Sequence, residues 1–224
     1  MAAHCRHRGA RDRLGHRGGP AVTGTFISLE GVDGSGKSTQ AVMLADALRD
    51  RGHEVMNVRE PGGTPLGEAV REVVLGPDAM TPWAEAFLFA AARAQLVADV
   101  IAPAVDAGTW VVADRFLDSS LAYQGAARGL GIDRVAAVNA PGIGDFIPDL
   151  TIILDLPPGS AVDRRAGRGS VDRIEGEGEA LQESVADGYR EVARLYPDRV
   201  HLVSANGTLE EVHARVLATV VGSL

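Results

Sequence analysis

Lys37 is the only lysine in the chain; the other 21 of its 22 basic side chains are arginine. It stands in Gly31-Val32-Asp33-Gly34-Ser35-Gly36-Lys37-Ser38, a Gly-x4-Gly-Lys-Ser run. Glycines let a backbone curl until successive N–H groups point at phosphate oxygens. A helix beginning at Lys37 would add the partial positive charge of its N-terminus. Lys37 would then reach the β- and γ-phosphates of a nucleoside triphosphate, and the Ser38 hydroxyl would ligate Mg²⁺. Residues Gly31 through Thr39 are therefore the expected ATP-binding segment. The plain alternative is a glycine-rich turn that merely joins strand to helix.

Three further groups of residues could act on a second substrate. Asp114-Arg115 follows an apolar run, where an acid could hold a magnesium-bound water and an arginine a phosphate in bidentate fashion. Phe89 and Arg93 lie four apart, on one face of a helix. The ring could stack on a base while the guanidinium reads a carbonyl, although such a phenylalanine also suits a core. Arg164, Arg165, Arg168 and Arg173 crowd one short segment with glycines at 167 and 169. They suit a lid that closes on a triphosphate and neutralises charge during phosphoryl transfer, the alternative being a solvated helix face.

Other triphosphate users are disfavoured. Guanine-specific GTPases read their base with Asn/Thr-Lys-x-Asp, which a chain with one lysine cannot also contain. No LSGGQ-type signature is present. What remains is a P-loop kinase of a small substrate.

The elements that must position these groups alternate between strand and helix. Strands are expected at Thr25–Glu30, Glu54–Arg59, Thr109–Ala113, Leu150–Leu156 and Val200–Val203. Helices are expected over 37–50, stopped by Gly52, and over 66–75, 83–107 and about 208–221. The apolar run Leu150–Leu156 reads as a buried parallel strand. Such alternation predicts an α/β fold of the P-loop NTPase kind, a three-layer arrangement of a five-stranded parallel sheet with helices on both faces and a short arginine-bearing lid. Placed on it, Asp114-Arg115 falls at the C-terminal end of a strand, where open α/β sheets hold ligands.

The 224 residues suffice for one such domain, expected over 24–224. Residues 1–23, rich in Arg, His and Gly, read as a disordered basic extension. Its first twenty residues hold five arginines against Asp12, so the net −8 of the chain is a body of −12 behind a tail of +4. An acidic body argues against nucleic acid as a partner; salt-sensitive DNA binding by the tail is a weaker idea. The lone Cys5 excludes an internal disulfide and a cysteine zinc site. With no continuous apolar span and no apolar signal core, we expect a cytoplasmic protein without a membrane partner.

Taken together, residues 25–221 resemble the thymidylate kinase (dTMP kinase) family. The resemblance rests on Phe26–Thr39 (FISLEGVDGSGKST), Arg59–Thr64 (REPGGT), Leu88–Arg93 (LFAAAR), Asp114–Gly125 (DRFLDSSLAYQG) and Asp172–Glu175 (DRIE). The Asp114–Gly125 block is more specific than the phosphate loop. The resemblance implies transfer of the ATP γ-phosphoryl group to dTMP, with Mg²⁺, by a homodimer packed through the long helix. It implies that Asp33 contacts the acceptor's sugar hydroxyl and phosphate region, that Phe89 stacks on thymine and that Arg93 hydrogen-bonds its exocyclic oxygen. Arg115 would hold the acceptor phosphate, while Arg59, Glu60 and Pro61 wall its site. Ser120, Tyr123 and Gln124 would shape the sugar and base pocket, Tyr123 crowding a ribose 2′-hydroxyl. With no arginine in the P-loop, the pattern resembles the bacterial type that carries its catalytic arginines in the lid. On that likeness Lys37, Asp33, Arg115, Arg164 and Arg168 are the expected catalytic set, and Ser38 with Asp114 the metal-binding pair. Ala166, Leu181 and Ala186 depart from the usual pattern, whereas Tyr189 keeps it. A kinase of another nucleotide and a nucleotide-binding protein without turnover are the competing readings.

Overall fold

The computed structural model describes residues 23–156 and 173–224. The basic extension (all but Thr23) and the arginine segment up to Asp172 lie outside the described residues, and with them Arg164 and Arg168.

Five parallel strands form one sheet in the order β2-β3-β1-β4-β5. They are β1 (Phe26–Glu30), β2 (Val55–Arg59), β3 (Trp110–Asp114), β4 (Leu150–Asp155) and β5 (Val200–Ser204). β1 is buried along its whole length and β4 along all but its last residue, as two near-continuous apolar runs require of central strands. The register pairs Leu29 of β1 with Asp114 of β3, and Asp114 with Arg59 of β2. Three strand ends therefore finish side by side, and the loops that follow open onto one edge. β1 is also where the chain's direction of winding reverses, since β3 lies on one side and β4 on the other. That switch point is where a doubly wound sheet has room for a ligand.

Helix α1 (Lys37–Arg49) follows Gly36, whose φ of 95° is left-handed. Its buried residues Ala41, Leu44, Ala45 and Leu48 join the core built on Phe26, Ile27 and Leu29. Phe26 meets Phe116 edge-to-face at 4.9 Å. Helix α2 (Pro65–Leu75) is capped by Thr64, whose hydroxyl accepts from Gly67 N, and has proline at its first turn. Near the C-terminus α8 (Leu209–Ser223) opens with a capping box between Thr208 and Glu211.

The helix expected over 83–107 is not uniform. α3 (Pro82–Leu96) passes through a π-turn at Val97–Ile101 into α4 (Ala102–Asp106). Pro103 explains the interruption, because it has no N–H for the carbonyl four residues back and its ring crowds that turn. By length and composition Pro82–Asp106 is the one described helix that could cross a membrane. In the fold it packs against α2 and the helix Ile132–Ile143, and its charged Glu85 and Arg93 are buried in ion pairs.

Three further helices lie outside those that periodicity predicts. α5 (Leu117–Ser120) continues into a second π-turn at Leu121–Ala127, α6 spans Ile132–Ile143, and α7 spans Glu179–Leu195. α7 lies close against the Leu121–Ala127 segment because Gly188 has no side chain. A Cβ there would meet Ala126 Cβ at 2.8 Å and the Ala122 carbonyl oxygen at 2.9 Å.

Candidate active site

The loop between β1 and α1 curls as its glycines allow. Gly31 has φ 139°, and a Cβ on it would lie 2.7 Å from the Leu154 carbonyl oxygen, so β4 leaves no room for a side chain. Lys37 is buried beneath the loop, its Nζ donating to the Val32 carbonyl at 2.8 Å and standing 3.7 Å from Asp33. Burial and the Arg115 charge pull the ammonium down to about 8, against the opposing pull of Asp33, Asp114 and Glu30. Ser38 Oγ, at the first turn of α1, donates to Asp114 Oδ2 at 2.5 Å. Hydroxyl and carboxylate together are hard oxygen donors, which suits Mg²⁺, an ion that usually keeps water and phosphate oxygens in its remaining positions. Among the described residues no cluster of three or more His, Cys, Asp or Glu could hold a metal alone.

Arg115 directly follows β3 and takes φ 73°, a left-handed conformation that costs a non-glycine residue about 1–3 kcal/mol. Its N–H extends the ladder to Leu29 O at 3.0 Å, while the side chain turns back across the end of the sheet. One guanidinium nitrogen donates to Ser119 Oγ at 3.1 Å and Tyr189 Oη at 3.3 Å; the other donates to Asp33 and to Tyr123 Oη. Asp33 also accepts from Tyr123 Oη at 3.1 Å and from Gln182 Nε2 at 3.3 Å. Burial works to raise its carboxyl, but Arg115, Lys37, Tyr123 and Gln182 together hold it well below the usual carboxylate range.

Beneath this cluster lies Glu30, fully buried at the end of β1. It accepts from Ser28 Oγ (2.8 Å), Phe116 N (2.7 Å), Ser119 Oγ (2.5 Å) and Tyr189 Oη (3.0 Å). Burial, then the Asp118 charge, push its carboxyl up. Glu30, Ser119, Tyr189 and Gln182 support the two reactive-looking charges, Asp33 and Arg115. None was singled out as a site residue by its type or spacing, although a glutamate closing an otherwise apolar strand is itself a signal.

The base-sized part of the cleft lies between α3 and the Leu121–Ala127 turn. Phe89 lines it with Pro61, Ser120, Tyr123 and Gln124. Arg93 is 1% exposed and all five of its N–H groups are engaged. They go to both Glu60 oxygens, to Ser120 Oγ (3.0 Å), to Asn139 Oδ1 (2.6 Å) and to the Phe116 carbonyl (3.1 Å). In this arrangement Arg93 has no N–H left over for a base. The Ser120 hydroxyl, by contrast, accepts from Arg93 and keeps its own proton to donate. Burial pushes Glu60 up to about 7 against the pull of Arg93. Arg59 donates to Glu68 and to the Pro61 carbonyl, and Arg71 donates to the same carbonyl at 3.1 Å.

One cleft of about 310 Å³ gathers these parts: Asp33, Gly34, Gly36, Lys37 and Ser38 of the loop; Arg59, Glu60 and Pro61; Phe89 and Arg93; Asp114, Arg115, Ser120, Tyr123 and Gln124. Gly31, Val32 and Ser35 shape the loop from its buried side without lining the cleft, and Thr39 stands exposed on α1. Arg71, Leu75, Ser119 and Ile174 also line it and had not been singled out.

A family model described as thymidylate kinase matches residues 29–216. Among curated relatives, the thymidylate kinase of Rhizorhabdus wittichii is 48% identical over 200 residues, covering 88% of this chain and 96% of its own. That of Syntrophotalea carbinolica is 45% identical over 207 residues (89% and 96%). That of Pseudomonas syringae pv. syringae is 49% identical over 195 residues (86% and 93%).

Proposed function

The chain belongs to the thymidylate kinase family, and from that premise we propose how its cleft performs the family's reaction. The enzyme phosphorylates dTMP with ATP, a step in dTTP synthesis. An oxygen of the dTMP 5′-phosphate bonds to the γ-phosphorus as the bond to the β–γ bridging oxygen breaks, giving dTDP and ADP. The attacking phosphate is already ionised, so no strong base is required. Rate enhancement then rests on positioning and charge neutralisation.

On this reading the loop N–H groups and Lys37 hold the ATP phosphates. Arg115 holds the acceptor phosphate, its fork aimed by Asp33, Ser119 and Tyr189. Ser38 and Asp114 would hold Mg²⁺, which when bound neutralises charge on the phosphates. Phe89 stacks on the base. The Ser120 hydroxyl donates to a base carbonyl, Arg93 fixing that hydroxyl from behind. Arg164 and Arg168 are proposed to complete the neutralisation from outside the described residues. Phe87, Ala91 and Ala98 are exposed along one side of Pro82–Asp106, an apolar strip that supports a homodimer through this helix. A cytoplasmic location and small-molecule partners alone, without nucleic acid or membrane, complete the proposal.

The observation that carries it is the single cleft joining Lys37, Arg115 and the Phe89–Gln124 pocket. The test is ADP release with ATP and Mg²⁺ against dTMP, dUMP, dCMP and dGMP. Strong preference for dTMP is expected. Turnover with another acceptor would refute the pocket, and ATP binding without transfer would refute the catalytic assignment.

A further inference from the structure

Gln124 is 2% exposed and lines the cleft, so which end of its amide faces the ligand matters. A glutamine side chain is a donor at one end and an acceptor at the other, and rotating it by half a turn reverses the pattern it presents. Here the choice is made by Glu85, at the first turn of α3. Gln124 Nε2 donates to Glu85 Oε1 at 2.8 Å. Gln124 Oε1 has no hydrogen-bond partner among the described residues and is not sealed from solvent, so it is the end left for a ligand.

Glu85 can dictate this orientation because it is itself over-determined. Its Oε2 accepts from Arg173 at 2.6 Å and from Arg128 at 3.1 Å, and Oε1 takes Arg128 Nε at 3.2 Å besides Gln124. Glu177 closes the cluster by pairing with both arginines. An ionised carboxylate between two guanidinium groups has no proton to give, so the amide facing it must turn its nitrogen inward. Burial works to raise the Glu85 carboxyl, but the hydrogen bonds from Arg173, Gln124 and Arg128 outweigh it and hold the group charged.

We infer that Glu85 is a positioning residue for base selection: it locks the Gln124 amide so that an acceptor oxygen meets the ring nitrogen of the nucleobase. Thymine and uracil carry a proton on N3 and match that oxygen. Cytosine has a lone pair there and is repelled. The inference rests on the base pocket proposed above.

Replacing Glu85 with glutamine should undo the lock in a defined way. The new carbonyl oxygen stays between Arg128 Nη2 and Arg173, so the new NH₂ faces Gln124 and the weaker bond from Arg128 Nε is given up. Gln124 then turns its own oxygen inward and shows the base an NH₂. The test compares kcat/KM for dTMP and dCMP in the wild type, Glu85→Gln, Glu85→Asp and Gln124→Leu. The dTMP-over-dCMP ratio should fall about tenfold to a hundredfold in Glu85→Gln and in Gln124→Leu. Glu85→Asp keeps an acceptor-only group and should hold the ratio within about threefold of wild type, even if both rates drop. A ratio unchanged in Glu85→Gln but lost in Gln124→Leu overturns the role of Glu85 and leaves the pocket standing. A ratio unchanged in Gln124→Leu overturns the pocket reading, and this inference with it. Should Glu85→Gln fail to fold, Glu85→Asp decides, since collapse of its ratio to that of Gln124→Leu refutes the lock.

Discussion

The proposed role of Lys37 makes a prediction in alkaline solution. A free lysine keeps its proton to about pH 10, but this one is buried beside Arg115 and drawn down to about 8. The cation is the form that binds phosphate, so the effect is lost as pH rises through that value. Once past it, each further pH unit removes about tenfold of the competent enzyme. The arginines of the site stay charged throughout, and Tyr123 and Tyr189 are pushed up, away from this window, by burial. Lys37 is thus the site group expected to titrate there. Initial rates at limiting ATP and saturating dTMP should give a kcat/KM for ATP that is level near neutrality and falls with unit slope above about pH 8. The kcat profile should stay level further, because bound phosphates supply the negative charge that holds the proton on Lys37. Lys37→Arg, slower at all pH values, should lack the fall. A kcat/KM that stays level to about pH 9.5 would refute the reasoning, since Lys37 would then be solvated as on a surface. The same fall in Lys37→Arg would assign it to another group.

Other outcomes follow from contacts nearby. Glu60→Gln removes the partner of a buried guanidinium and should cost about 3–5 kcal/mol, read as a loss of roughly 10 °C in Tm, with Glu60→Gln/Arg93→Met recovering much of it. Arg115→Lys keeps the charge but loses the fork shared by Asp33, Ser119 and Tyr189; kcat/KM for dTMP should fall about a hundredfold or more in a protein of unchanged Tm. Gly188→Ala presses a methyl onto Ala122 and Ala126, at a cost of about 1–3 kcal/mol, and should raise the KM for dTMP because it displaces the turn carrying Tyr123 and Gln124.

Much of the fold could be read from local pattern because its central strands are long apolar runs and its first loop has a fixed spacing. Of the three helices that periodicity did not assign, α5 and α6 carry conflicting local signals, whereas α7 is a 17-residue amphipathic helix whose pattern was legible. α5 has four residues before the chain widens into a π-turn, and α6 contains Pro141 followed by Gly142. Both are held by tertiary contact, which periodicity does not register. Gly142 lets α6 approach α3 so closely that a Cβ would sit 2.7 Å from Ala94 Cβ.

The same division runs through the site. The phosphate-loop pattern lies in one short segment, so the chemistry proposed for Lys37 and Ser38 is read from spacing alone. The direction in which an arginine points is not local. Arg93 and Phe89 do share a helix face, but Glu60, Ser120, Phe116 and Asn139, all remote in sequence, decide where the guanidinium points. Arg115 is the opposite case. Its backbone is kept left-handed by a strand contact to Leu29, and that strain is what carries the side chain back over Asp33 and the phosphate loop. Two arginines drawn from equally suggestive motifs therefore sit differently, one sealed in the pocket wall and one turned over Asp33 and the phosphate loop. The difference lies in exposure rather than in the number of partners: the Arg93 side chain is 1% exposed, whereas that of Arg115, just as fully hydrogen-bonded, keeps 18% of its surface open.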